Sequence, residues 1–244
     1  MARIDLKQSS GLPIVYSDEE LLPQGLSIKE TSVVCIDDMR PQLLNEDLNC
    51  PEIFYRNYTG IDKDDVFKNR NIKINISLIY PNLAGIEYTK TIATKCNRYP
   101  RIFDTVYGGG VLLLQKYNSP QENEVLKIPL KKWQKVIIPQ GYSSILVNTR
   151  QNSNLIILEI HSKDARPRAV LDDRKGMSYY IIRKNAKQEV VRNPGYKVAS
   201  TPIKYNPNKI LSEYGVTPKT PIVKQIMRKY EKFNWLFEKD SVHI

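Results

Sequence analysis

Residues that commonly perform catalysis or bind metals are few and widely spaced in this chain. It has two histidines, His161 and His243, and three cysteines, Cys35, Cys50 and Cys96. A transition-metal site needs several imidazole, thiolate or carboxylate donors in a fixed geometry, and neither set has a metal-binding spacing. We therefore expect His161 to be structural, and Cys96 to be a small apolar packing residue rather than a reactive thiol.

Three consecutive glycines, Gly108 to Gly110, could suggest a phosphate-binding loop. They are not followed by the Lys-Ser or Lys-Thr pair that completes such a loop. They also lie between two predicted strands. We therefore predict a hairpin turn here rather than a nucleotide site.

The middle of the chain is rich in predicted strands. Residues 71–79 alternate polar and apolar side chains almost perfectly, which is typical of a half-buried strand. Further strands are predicted at residues 111–116, 136–139, 144–148, 155–161 and 179–183. Many short strands separated by turns predict a mainly β fold, an antiparallel barrel or jelly roll.

Composition changes divide the chain into four segments. Residues 1–32 are predicted to form an N-terminal arm with a short helix at 17–22, and residues 33–196 a barrel domain with a short helix at 62–67. Residues 197–220 form a proline-containing linker. In 221–244, Pro221 after Thr220 starts a predicted amphipathic basic helix that continues to about residue 239. Its apolar stripe could dock on its own barrel, on a partner or on a membrane surface, and docking on the barrel is the preferred interpretation.

Several segments resemble the core of the archaeal-type cupin glucose-6-phosphate isomerases. These are residues 87–94, 101–103, 108–115, 136–144 and 147–148, and the resemblance spans roughly residues 33–196. It implies a cupin barrel. In that family a bound metal ion and a glutamate support isomerisation of hexose phosphates.

The resemblance places non-ligands at all four metal-ligand positions. The two histidines of the family's Gly-His-x-His segment fall on Ile92 and Thr94, its glutamate falls on Arg101, and its last histidine falls on Ser144. Isoleucine has no donor atom, and a permanently charged guanidinium repels a metal ion and cannot act as a base. We therefore expect no metal, no cofactor and no catalytic residue at this site.

The sequence leaves two interpretations open for the pocket at these four positions, called the old pocket below. It could bind an anion through Arg101, with Thr89, Ser77 and Tyr142 nearby. Alternatively, Arg101 pairs with a neighbour such as Asp104 or points into solvent. A buried guanidinium without any partner would be costly.

The function predicted from these residues is that of a non-catalytic pseudoenzyme, a binding or scaffold and assembly protein. One alternative is a sugar-phosphate isomerase-like enzyme with a rebuilt, metal-independent site, which would require a titratable general base facing the barrel interior. A second alternative is a nucleic-acid or ribonucleoprotein component, because most of the net charge of +11 lies in the last third of the chain.

The same features lead to expectations about partners and location. The resemblance implies a homodimer, and the apolar C-terminal segment indicates a component of a protein assembly. The basic last third could contact a polyanion such as nucleic acid. The sequence has no transmembrane segment, and its odd, widely spaced cysteines favour the reducing cytoplasm.

Overall fold

The computed structural model describes residues 3–119, 122–170 and 174–243, and it is mainly β. Two six-stranded sheets, sheet I and sheet II, pack face to face as in a jelly roll. Sheet I contains, in spatial order, β13 (Lys135–Ile138), β10 (Arg101–Tyr107), β15 (Leu155–Ser162), β6 (Ile72–Ile79), β5 (Ile53–Thr59) and β4 (Glu30–Cys35). Sheet II contains β16 (Arg168–Ala169), β9 (Thr94–Lys95), β14 (Ser143–Val147), β11 (Gly109–Ser119), β12 (Glu122–Lys131) and β19 (Ile203–Lys204).

Two smaller sheets complete the β structure. The cover sheet lies over the outer face of sheet II and contains β18 (Lys187–Arg192), β17 (Tyr179–Lys184), β8 (Glu87–Tyr88) and β7 (Leu83–Ala84). The N-terminal sheet contains β1 (Ile4–Asp5), β2 (Ile14–Ser17) and β3 (Glu20–Pro23). The helices are α1 (Lys7–Ser10), α2 (Ile36–Met39), α3 (Val66–Asn69), α4 (Asn208–Leu211) and α5 (Ile222–Arg228), with 3-10 turns at Arg40–Gln42 and Tyr230–Leu236. In this described part of the chain, no helix has the length and apolar character needed to cross a membrane.

Alternation along the strands separates two cores. The predicted strand at 71–79 is confirmed as β6, where Ile74 and Ile76 are buried on the outer face of sheet I while Asn75 and Ser77 face sheet II. Leucine, isoleucine and aromatic side chains of both sheets fill most of the space between them. The two faces of sheet I therefore pack against different parts of the protein, the inner face against sheet II and the outer face against other segments.

The outer face of sheet I is covered by the two ends of the chain. Leu6 and Leu21 from the N-terminal region and Ile226, Phe233 and Leu236 from the C-terminal region join the isoleucines of this face in one buried cluster. Burial of this large apolar surface fixes both terminal regions on the sheet.

A buried ion pair also anchors the C-terminal region. The Lys135 ammonium and the Asp104 carboxylate, on neighbouring strands, lie 3.2 Å apart. Asp104 accepts a hydrogen bond of 3.0 Å from the backbone N–H of Ile222, and Lys135 donates one of 2.6 Å to the carbonyl of Pro218. Burial raises the pKa of Asp104 and lowers that of Lys135, against the attraction between them.

Two predicted helices are wrong in type or extent. Residues 17–22 form the hairpin of β2 and β3, because Asp18 and Glu19 adopt left-handed φ values of 49° and 63° that suit a tight turn. The helix predicted from 221 to about 239 ends at Arg228, because Lys229 leaves the helical conformation and a 3-10 turn follows. The apolar stripe identified the buried residues there but not the backbone path that buries them.

Two smaller predictions also need correction. The helix expected at 62–67 is α3, which begins at Val66, because the Asp62 carboxylate accepts hydrogen bonds from the backbone of Phe67 and Lys68. The Gly108–Gly110 segment is not a hairpin turn, because β10 belongs to sheet I and β11 to sheet II. A Cβ at Gly110 would lie 2.2 Å from the carbonyl oxygen of Val147 on the neighbouring strand β14, so glycine permits the close approach of β11 and β14 within sheet II.

Candidate functional site

Three of the four positions that the resemblance aligns with metal ligands meet between the sheets. Thr94 and Ser144 are paired residues of β9 and β14 in sheet II, and Arg101 reaches them from β10 in sheet I. The guanidinium donates hydrogen bonds to the Thr94 hydroxyl at 3.0 Å, the Ser144 hydroxyl at 2.7 Å and the Thr94 carbonyl at 3.3 Å. Ile92 contributes to the wall of the adjacent cavity. A protein cation therefore lies among the residues that the resemblance places at the metal-ligand positions.

Arg101 has an internal counter-charge. Its side chain is almost fully buried, and Nη1 donates to Glu159 Oε1 at 3.1 Å. The predicted pairing of Arg101 with Asp104 is wrong. Successive residues of β10 point to opposite faces of the sheet, so Asp104 lies on the outer face, where it pairs with Lys135. Exposure of Arg101 to solvent is excluded by the same burial.

Glu159 is held as a carboxylate by this arrangement. Its Oε2 accepts a hydrogen bond of 3.1 Å from the side-chain amide of Asn75. Burial raises the pKa of Glu159, but the positive charge of Arg101 and the hydrogen bonds outweigh it and hold the pKa below the ordinary 4.5. Both carboxylate oxygens are therefore engaged in stabilising the charged form.

His161 extends the network along β15. Its Nδ1 lies 2.7 Å from the carbonyl oxygen of Ser162, and its Nε2 lies 3.2 Å from the Asn75 amide nitrogen. The carbonyl requires a proton on Nδ1, so Nε2 accepts from Asn75 in the neutral tautomer. Burial lowers the pKa of His161, and the imidazole is therefore a neutral, hydrogen-bonded structural group.

The cavity beside this network is small. Its volume is about 100 Å³, and its wall includes Ser77, Ile92, Thr94, Ser144 and Glu159. Sites for small-molecule ligands usually measure about 300–1,000 Å³. The guanidinium and its partners thus leave space for a few water molecules.

The remaining predicted pocket residues have different surroundings. Ser77 lines the cavity and donates to the Asn57 side chain at 2.7 Å. Thr89 lies outside it and donates its hydroxyl proton to the carbonyl of Tyr80. Tyr142 donates to the Glu124 carboxylate on β12, so the structure does not bring Thr89 or Tyr142 to Arg101.

The segment that resembles the family's ligand loop is fixed by a second buried pair. Lys90 contacts the Glu87 carboxylate and donates to the carbonyl of Gln42 at 2.6 Å. The Gln42 side chain accepts from the backbone of Ala93 at 2.9 Å and donates to the carbonyl of Val170 at 2.9 Å. These contacts hold the loop in place.

Sequence reasoning missed Glu159 and Asn75. The alternation along β15 could have predicted the position of Glu159. Ile156, Leu158 and Ile160 face outward, so Glu159 must face sheet II. Among the described residues, no group of three or more histidine, cysteine, aspartate or glutamate side chains is arranged to hold a metal ion.

The two facing jelly-roll sheets define the fold as cupin-type. A family model described as glucose-6-phosphate isomerase (GPI) matches residues 47–199. The chain therefore belongs to the cupin-type glucose-6-phosphate isomerase family. No curated protein matches the sequence.

Solved structures with local similarity include two vicilins and a cupin-domain protein. Vicilin from Capsicum annuum has 12% identity and a TM-score of 0.36, with 48% of this chain and 30% of that chain covered. Hazelnut (Corylus avellana) vicilin has 15% identity and a TM-score of 0.39, with 52% and 35% covered. A cupin 2 conserved barrel domain protein from Rhodopseudomonas palustris has 9% identity and a TM-score of 0.33, with 47% and 66% covered. This chain thus spans only about a third of the length of either vicilin.

We predict that Arg101 and Glu159 are energetically coupled. Glu159→Gln leaves a buried guanidinium without a counter-charge and should lower the free energy of unfolding by about 3–5 kcal/mol. Arg101→Met should have a comparable cost. The double variant removes both charges, so its cost should be well below the sum of the two, as measured by urea unfolding. Simple additivity of the two costs would show that the pair is not coupled.

We predict that His161 makes the stability depend on pH. The unfolded chain binds a proton near the ordinary pKa of 6.5 while folded His161 stays neutral, because its pKa is lowered. The free energy of unfolding should therefore fall as the pH drops below 6.5, by at most about 1.4 kcal/mol per pH unit. Urea unfolding between about pH 7.5 and 5.5 measures this slope.

The chain provides a matched control for the pH experiment, since its second histidine, His243, is exposed. His161→Asn should flatten the slope, and His243→Asn should leave it unchanged. Equal slopes in all three proteins would rule out a buried neutral His161 as the cause.

Proposed function

We propose that this chain is a non-catalytic member of its family, a pseudoenzyme that acts as a binding or scaffold and assembly protein. The observation that carries the proposal is the buried Arg101 guanidinium, which donates to Thr94, Ser144 and Glu159 where the family resemblance places metal ligands. A divalent ion at this position would be repelled by a charge that cannot titrate away.

The size of the cavity supports the same proposal. A volume of about 100 Å³ is well below that of sites which enclose small-molecule ligands. A hexose phosphate would have to displace the Arg101 network, and the displaced groups would lose their hydrogen bonds in a buried place. Because Glu159 balances the charge of Arg101, the old pocket is also a weak anion site.

A second candidate function is a metal-independent sugar-phosphate isomerase-like enzyme. Glu159 favours it, because this titratable carboxylate faces the interior and lines the cavity. Against it, the lowered pKa makes the carboxylate a weak base, and catalytic bases work best with a pKa near the working pH.

We predict no turnover of glucose 6-phosphate or fructose 6-phosphate above background in a coupled assay. Glu159→Gln, purified in the same way, is the matched control for a contaminating host isomerase and should show the same background. Turnover of about 1–1,000 per second that disappears in Glu159→Gln would refute the pseudoenzyme proposal and favour the second candidate.

The assembly role is proposed on the edge of sheet I. β4 is the outermost strand of that sheet, and its Val33 side chain is 38% exposed. An open strand edge with apolar side chains favours pairing with another chain. A homodimer or a larger protein assembly would cover this edge. The three free cysteines support a cytoplasmic location for the protein.

We predict that purified protein has a mass in solution of at least twice the 28.2 kDa of the chain, as measured by light scattering. A charged residue at the edge, in Val33→Lys, should reduce the mass, and the same change at the exposed Ile86 in the turn between β7 and β8 should not. A wild-type monomer at all concentrations, without a co-purifying partner, would contradict the assembly role.

A further inference from the structure

A basic groove lies on the opposite side of sheet II from the Arg101 cavity. It has a volume of about 560 Å³ and is lined by β12 and β19, by the turn after β14 and by Gln188 of β18 in the cover sheet. Its charged side chains are Lys127, Lys204 and Arg150. The volume lies within the range of sites that enclose a small molecule.

Two ammonium groups are brought to the same side of this groove by strand pairing. β12 and β19 pair in parallel, with Lys127 directly beside Lys204, and paired residues on neighbouring strands point to the same face. Burial lowers the pKa of Lys127, and the charge of Lys204 lowers it further. The fold thus places two like charges together at an energetic cost.

Arg150 adds a third positive charge from the other wall. Its backbone N–H donates to the Asn148 side chain at 3.0 Å, which fixes the turn after β14. A Cβ at Gly109 would lie 3.2 Å from Arg150 Nε and 3.0 Å from the Leu130 carbonyl oxygen. The absence of a side chain at Gly109 therefore leaves room for the guanidinium beside the groove.

The three cations lack compensation within the described residues. None of Lys127, Lys204 and Arg150 forms a salt bridge there, and the described lining includes no acidic side chain. Thr149 and Gln188 add neutral hydrogen-bonding groups to the wall. Lysine and arginine side chains arranged around a concave site are suited to phosphate oxygens.

We propose that the basic groove binds a small anion that carries two or more phosphate groups. This inference goes beyond the proposed function and does not depend on the Arg101 cavity. A compact ligand is favoured over nucleic acid because the described lining contains no aromatic side chain on which a base could stack. An oligophosphate would bridge Lys127, Lys204 and Arg150 and relieve the repulsion between the two ammonium groups.

The experiment titrates inorganic tripolyphosphate into the full chain by calorimetry at low salt. Wild type should bind, and Lys127→Gln/Lys204→Gln should weaken the affinity about 100-fold, because each charged hydrogen bond contributes about a factor of ten. Lys209→Gln/Lys219→Gln removes the same charge from exposed positions outside the groove. This matched control should bind within about twofold of wild type, since only the net charge changes.

The variants should fold, because removing two adjacent like charges relieves repulsion, and thermal melting checks this. If the double variant is unfolded, the exposed Lys204→Gln alone is titrated and should weaken binding about tenfold. Absence of wild-type binding, or an equal loss in both double variants, would overturn the proposal. Binding of a single-stranded oligonucleotide that the groove double variant weakens, while tripolyphosphate does not bind wild type, would overturn it in favour of nucleic-acid contact.

Discussion

The buried charge of Arg101 is the constraint on which the interior of this protein depends. A guanidinium out of contact with water needs hydrogen-bond acceptors and a counter-charge. Glu159 supplies the charge, Thr94 and Ser144 supply acceptors, and Asn75 holds Glu159 in turn. Together these groups reduce the space between the sheets to a cavity of about 100 Å³. Polar groups on four strands thus accommodate the buried charge of Arg101.

The Arg101 guanidinium ties the two facing sheets together, because it extends from sheet I and donates to Thr94 and Ser144 in sheet II. It is covalently fixed and offers no open coordination position. A metal ion with an exchangeable ligand can polarise a substrate, whereas a fully hydrogen-bonded guanidinium cannot. This difference is the physical basis for proposing that the chain lacks the family's isomerase chemistry.

Sheet I imposes the second constraint, because both of its faces are buried. Its inner face carries the polar network, and its outer face is a row of isoleucines that needs an apolar covering. The terminal regions provide that covering, and the Asp104–Lys135 pair fixes the start of α5 on it. The ends of the chain are therefore part of the main core.

Local alternation made the strands predictable, and tertiary packing made the rest unpredictable. The pattern of residues 71–79 needed only the two-residue period of a strand. In contrast, the partner of Arg101 lies 58 residues away on β15, and nothing local indicates that β10 and β15 are neighbours. The apolar stripe after Pro221 identified Phe233 as buried but could not reveal the break at Lys229. The proposed segment boundaries at residues 32, 196 and 220 stay predictions.

The most direct test of the central claim is the metal content of the purified protein. Protein produced with added manganese, iron, nickel and zinc salts, without affinity tags or chelators, is analysed for these elements after gel filtration. If Arg101 occupies the former metal position, none of the four metals should be present in stoichiometric amount. One equivalent of metal per chain that is lost in Ser144→Ala and in Glu159→Gln would contradict the account.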